Sequence, residues 1–200
     1  MSRHPPNERC TMAIKVYIDQ GHNPRSYNTG AEGNGYFEQD ITYRVGILLD
    51  GYFKANPNFE TKLSRPSPDT LLGTSNSSSL TARVREANIW GADLFLSIHT
   101  NASVNPSANG SECLIYSYSA EQAYAVAEDI LEQMTLITGL KSRGVIERPG
   151  LYVLRRTSMP AVVVEMGFIT NPTDAELMAN SPNLFALGMY RGVLRYYGLF

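Results

Sequence analysis

The 200-residue chain reads as a single α/β domain: a mostly parallel, partly mixed central sheet of about six strands flanked by helices. Three observations predict this. Apolar runs of strand length recur along the chain, several of them continuous rather than alternating, as in strands covered on both faces. Amphipathic helical patterns lie between them. At the ends of three runs stand histidine or glutamate, and in open α/β sheets ligands gather beyond the carboxyl ends of the strands.

The strand candidates are IKVYI at 14–18, TKLS at 61–64, LFLSI at 94–98, CLIYS at 113–117, LYVL at 151–154 and AVVVE at 161–165. The third and fourth are joined by a loop without a helical pattern, which predicts an antiparallel step there. In EQDITYRVGILLDGYFKA, Ile41, Val45, Leu48, Leu49 and Tyr52 share one helical face. SAEQAYAVAEDILEQMTLI opens with Ser119 and Gln122 at capping-box spacing and keeps Ala123, Ala127, Ile130, Leu131 and Met134 on one side. Asn171-Pro172 and Ser181-Pro182 each mark a helix start, and Gly198 closes the last helix. SPDTLLGTSNSSS at 67–79 reads as a flexible solvated loop.

An apolar fraction of 43%, a charged fraction of 18% and a net charge of −2 describe an ordinary globular chain with no electrostatic footprint for nucleic acid. No apolar run reaches the roughly 18 residues of a membrane span, and the start lacks the apolar stretch of a secretory signal. Residues 1–12, including His4, read as a mobile arm preceding a domain over 13–200. Cys10 and Cys113 make neither a metal pair nor a disulfide framework; Cys113 reads as a small buried hydrophobe, with pairing between the two left open.

The chemistry concentrates at the strand ends. IKVYI leads into Asp19-Gln20-Gly21-His22, LFLSI into His99-Thr100-Asn101, and AVVVE ends on Glu165. Singly, each has an ordinary reading: a scaffold histidine, or a carboxylate paired with Arg155 or Arg156. Together, two imidazoles and a carboxylate form a three-ligand catalytic zinc set with a fourth position open to water. Glu38 supplies the carboxylate. As an acid in the first turn of a helix it is favoured by the macrodipole alone; but Gly30, Gly33 and Gly35 let the loop fold tightly enough to return it toward His22. Burial after four apolar residues is expected to raise the pKa of Glu165, as a general base requires. No GxGxxG or Walker pattern occurs.

IDQGH, Glu38 heading an amphipathic helix, SLTARVREANIWGADLFLSIHTNAS and PAVVVEMGFITNPTDAEL together resemble the zinc-dependent N-acetylmuramoyl-L-alanine amidases of the amidase-3 type, over about residues 13–199. The resemblance implies a peptidoglycan hydrolase that cuts the amide between N-acetylmuramic acid and L-alanine of the stem peptide. It implies His22, Glu38 and His99 as ligands of one Zn2+ and Glu165 as the catalytic glutamate. It further suggests a stem-peptide carboxylate as the partner of Arg143, a solvated surface arginine being the alternative reading, and Asn101, two residues from a ligand, as a residue that supports it. Action at the bacterial cell wall, by a secreted or a phage-released enzyme, would follow. This chain departs from the family pattern with Asn23-Pro24 where glycine commonly follows the first histidine, and with SIHTN for SIHAN. Two other readings differ in class: a wall-binding module without catalysis, and a zinc peptidase or deacylase acting on peptides that lack a muramoyl group.

Overall fold

The computed structural model describes residues 13–200. The arm, with His4 and Cys10, lies outside the described residues. Six strands form the main sheet: β1 (Ile14–Gln20), β4 (Phe59–Leu63), β5 (Leu94–Asn101), β6 (Ser111–Ile115), β7 (Ser142–Glu147) and β8 (Ala161–Phe168). Their order is β4-β1-β5-β8-β6-β7. The pairs β1–β4, β1–β5, β5–β8 and β6–β7 are parallel, and β6–β8 is antiparallel. The antiparallel step expected between LFLSI and CLIYS therefore exists, but β8 is inserted between those strands. A two-stranded ribbon, β2 (Glu32–Gly33) and β3 (Tyr36–Phe37), stands apart in the loop after β1.

Alternation along the strands builds two unequal faces. Val16, Ile18, Leu94, Leu96, Ile98, Val162, Val164 and Met166 join the larger core with residues of α1 (Glu38–Lys54), α3 (Glu121–Thr138) and α6 (Pro182–Tyr196). On the other face Tyr17, Phe95, Leu114, Ala161 and Val163 pack with Val84 and Ala87 of α2 (Asn76–Trp90) and with Val153 and Leu154 of α4 (Tyr152–Arg156). The remaining helix, α5 (Pro172–Asn180), is capped by the Asn171 side chain, which accepts from Thr173 N and Asp174 N.

Several expectations are corrected. The run 151–154 is mostly helical: Tyr152 opens α4, whose Val153 and Leu154 turn into the smaller core. An apolar run of four fits a strand or one helical turn equally well. The sixth strand is instead β7, a half-exposed edge strand. Ser119 does not cap α3; Ala120 stands at that position and no side chain caps it, the Ser119 hydroxyl being paired with that of Ser117. The loop 67–79 ends early, because a capping box between Ser75 and Ser78 starts α2. Leu48 is exposed, and Phe53 takes the buried place on α1. Cys113 is buried as expected, and burial pushes its thiol well above the usual range.

Candidate metal centre

Three segments converge where β1 and β5 end. Gly21 donates its N–H to Ile98 O at 3.0 Å, and a Cβ there would stand 2.5 Å from Cε1 of His99, so only glycine lets β1 pass the imidazole this closely. His22 follows in the left-handed region, with φ 68°. Its Nδ1 lies 3.1 Å from Asn28 O, which favours the tautomer that leaves Nε2 bare toward the centre. The chain then returns through β2 and β3, and Glu38 N donates to Ala31 O at 2.9 Å as α1 begins. Gly30 faces the Glu38 side chain so closely that a Cβ would meet its Cβ at 2.6 Å.

Glu38 Oε1 stands 3.2 Å from His22 Nε2 and 3.0 Å from His99 Nδ1. It accepts Thr100 N–H at 2.9 Å, while Oε2 accepts Ala31 N–H at 2.8 Å. One ligand atom from each of His22, Glu38 and His99 falls within 4.8 Å of the others. Burial acts to raise the Glu38 pKa, but its hydrogen bonds with His22 and His99 outweigh burial and hold it far below the usual carboxylate range. Burial acts to lower that of His99, and Glu38 more than reverses this. An ionised carboxylate between two imidazoles suits a divalent cation, and two nitrogens plus one oxygen are a donor set of open catalytic metal sites.

Glu165 lies beside this cluster on β8, paired in register with His99. Burial pushes its pKa up to about 7, with His99 opposing and Glu38 and Glu112 adding to the rise. Its Oε2 is buried without a hydrogen-bond partner among the described residues, so the alternative pairing with Arg155 or Arg156 does not satisfy it. An orphaned acid with a pKa near neutrality, next to three convergent ligand atoms, fits a metal site that activates water.

A family model described as N-acetylmuramoyl-L-alanine amidase matches residues 16–195. The chain belongs to this family. It is 33% identical over 189 residues to N-acetylmuramoyl-L-alanine amidase CwlM of Bacillus licheniformis, covering 93% of this chain and 70% of that one. It is 34% identical to the endolysin of Bacillus phage SPP1, covering 84% of this chain and 59% of the relative. The solved catalytic domain of CwlV, an N-acetylmuramoyl-L-alanine amidase from Bacillus (Paenibacillus) polymyxa, superposes with a TM-score of 0.82 at 29% identity, covering 94% and 99% of the two chains.

Within this amidase fold the remaining expected residues, Arg143 and Asn101, do not touch the ligand cluster but share a partner. Glu112, 4% exposed, accepts Asn101 Nδ2 at 2.9 Å through Oε1 and Arg143 Nε at 2.8 Å through Oε2. The Arg143 guanidinium lies over the Phe168 ring, 4.9 Å from its centroid, and its side chain is 36% exposed. Because Glu112 pairs with Glu165 and Glu165 with His99, a row of four side chains crosses β5, β8, β6 and β7 from His99 to Arg143. Glu112 carries no mark in the sequence that would single it out. The alternation it shares with Leu114 places it on the smaller face, but only the register against β8 puts it beside Glu165.

Proposed function

We propose that the chain hydrolyses the amide between N-acetylmuramic acid and L-alanine of the peptidoglycan stem peptide, with His22, Glu38 and His99 holding one zinc ion and Glu165 as general base. The observation that carries this is Glu165: its orphaned Oε2, with a pKa of about 7, stands in register beside a ligand histidine. Zinc bound there supplies a Lewis acid that polarises the scissile carbonyl and acidifies a water.

The residues then divide the work. Glu165 takes a proton from the attacking water as the new C–O bond forms, and returns it to the L-alanine nitrogen as the C–N bond breaks. Burial raises the Glu165 pKa in the metal-free site, which makes its carboxylate a stronger base toward the proton of the water. Arg143, held by Glu112 and stacked on Phe168, offers its outer N–H groups to a stem-peptide carboxylate. Asn101, tied to the same Glu112, borders that subsite. Residues 13–200 make up the catalytic domain, and it acts at the bacterial cell wall. No helix among the described residues is long and apolar enough to cross a membrane.

The test is digestion of purified peptidoglycan, following new L-alanine amino groups with untreated, chelated and zinc-restored enzyme. Release that chelation stops and zinc restores is the expected result. Cleavage of short peptides without release of L-alanine amino groups from the wall would replace this reading with a peptidase.

A further inference from the structure

Helix α2 contributes no ligand, yet its inward face is the least apolar of the long helices. A helix packed on a sheet usually turns an apolar stripe inward. Here Asn76, Ser79 and Arg83, at i, i+3 and i+7 on one face, all point at the loop that carries His22. Arg83 is 1% exposed. Its Nη2 donates to His22 O at 2.7 Å and to Asn23 Oδ1 at 3.3 Å; its Nη1 donates to Gln20 O at 2.7 Å and to the Asp19 carboxylate. Asp19 in turn accepts Ser97 Oγ at 2.7 Å, two residues before His99. Asn28, whose carbonyl meets the His22 ring, is held from the same face: its N–H donates to Asn76 Oδ1 at 2.6 Å and its amide to Ser79 Oγ at 3.2 Å.

A buried Arg–Asp pair is weak evidence of stabilisation, because apolar replacements of similar volume are often as stable. Its use is then sought in orientation. His22 and Asn28 both adopt positive φ, at 68° and 52°. Non-glycine residues are uncommon in that conformation and persist there where the surroundings supply constraints. The α2 face supplies those constraints, fixing the His22 backbone through Arg83 and its ring through Asn28.

We propose that Arg83, together with Asn76 and Ser79 on the same face of α2, positions His22 for metal binding, so that metal affinity depends on a helix that donates no ligand. This rests on the assignment of His22 as a zinc ligand. Partners that orient a ligand histidine typically contribute about 10–100-fold in metal affinity.

The measurement is the zinc dissociation constant by competition with a chromophoric chelator, alongside the thermal midpoint of the zinc-free chain. Arg83→Lys keeps a charge for Asp19 but lacks the planar fork that reaches Gln20 O, His22 O and Asn23 Oδ1 as well, and is expected to weaken zinc binding about 10–100-fold. Asn76→Ala removes an exposed side chain; its zinc-free midpoint is expected to move little while affinity falls about 10-fold, and Asn76→Asp, which retains the acceptor, restores it. A variant that remains folded without zinc cannot owe a weaker constant to unfolding. Arg85→Ala, on the exposed face of α2, is expected to change nothing. If Arg83→Lys does not fold, Asn76→Ala decides. With His22→Ala run alongside, loss of affinity there but unchanged affinity in Arg83→Lys and Asn76→Ala overturns the proposal alone. Unchanged affinity in His22→Ala overturns the ligand assignment beneath it.

Discussion

The two faces of the central sheet are made by the same strands and end differently. On the α1/α3/α6 face, Leu94-Leu96-Ile98 and Val162-Val164-Met166 remain apolar along the strands, while β1 reads Val16-Ile18-Gln20, its last residue buried against Gly46 of α1. On the α2/α4 face the same strands read Tyr17-Asp19, Phe95-Ser97-His99 and Ala161-Val163-Glu165, apolar at the start and polar toward the carboxyl ends. Alternation thus lets one strand serve a dry core and a reactive site without either interrupting the other. The polar residues gather beyond the apolar packing of α2 and α4. The division of labour is testable: substitutions on one face should strike chemistry, and on the other, stability.

The largest effect is expected at Glu165. Glu165→Gln should retain zinc and lose about 10²–10⁴-fold in turnover on peptidoglycan, the range for removing a positioned general base. Its stability effect has the opposite sign. The folded pKa of about 7 lies above the unfolded value near 4.3, so the zinc-free chain is most stable, as far as this group is concerned, below about pH 4. Stability then declines as pH rises and levels off beyond 7, by on the order of 4 kcal/mol at about 1.4 kcal/mol per unit. Because Glu38 titrates in the opposite sense, the test is a difference: in denaturant titrations of the zinc-free chain, the unfolding free energy of the unsubstituted protein minus that of Glu165→Gln should fall as pH rises from about 4 to about 7. A variant that keeps its turnover would break the distinction between the faces.

The same comparison explains what could be read in the sequence. His22, His99 and Glu165 stand out in the sequence because strand ends are marked by the abrupt stop of an apolar run, and Glu38 because a glycine-rich loop leads into the helix it opens. Helices α1, α3 and α6 were legible because they cover the dry face with ordinary stripes. Helix α2 was not, since buried Ser79 and Arg83 interrupt the short apolar stripe of Val84 and Ala87 on its inward face. Strand β7 was missed because its six residues, SRGVIE, are half-exposed at an edge and contain Gly144 with φ 91°. Glu112 was hidden for another reason, that inter-strand register is a property of pairing and leaves no local trace.

Leu96 sharpens the comparison from the dry side. It lies next to Ser97 on β5, is fully buried and faces the larger core. Leu96→Ala should lower unfolding free energy by about 2–5 kcal/mol, measured by denaturant titration of the zinc-loaded and zinc-free chain. At temperatures where the variant stays folded, its zinc dissociation constant and turnover should match those of the unsubstituted protein within about twofold. A loss of zinc affinity comparable to that expected for Arg83→Lys would mean that the two faces are coupled through the sheet.

The smallest effect is expected at the far end of the polar row. Glu112→Gln preserves the shape that receives Arg143 Nε but removes the charge that fixes the guanidinium, while Asn101 loses its charged acceptor. The Michaelis constant for peptidoglycan fragments carrying a stem-peptide carboxylate should rise several-fold, with turnover at saturation nearly kept, because ground-state and transition-state binding are lost together. Fragments with that carboxylate amidated should show no such rise. Glu112 also helps to raise the Glu165 pKa, so its neutralisation should move the acid limb of the turnover profile to lower pH. A change in turnover alone, equal for both fragments, would place Glu112 with the base and remove Arg143 from the substrate subsite.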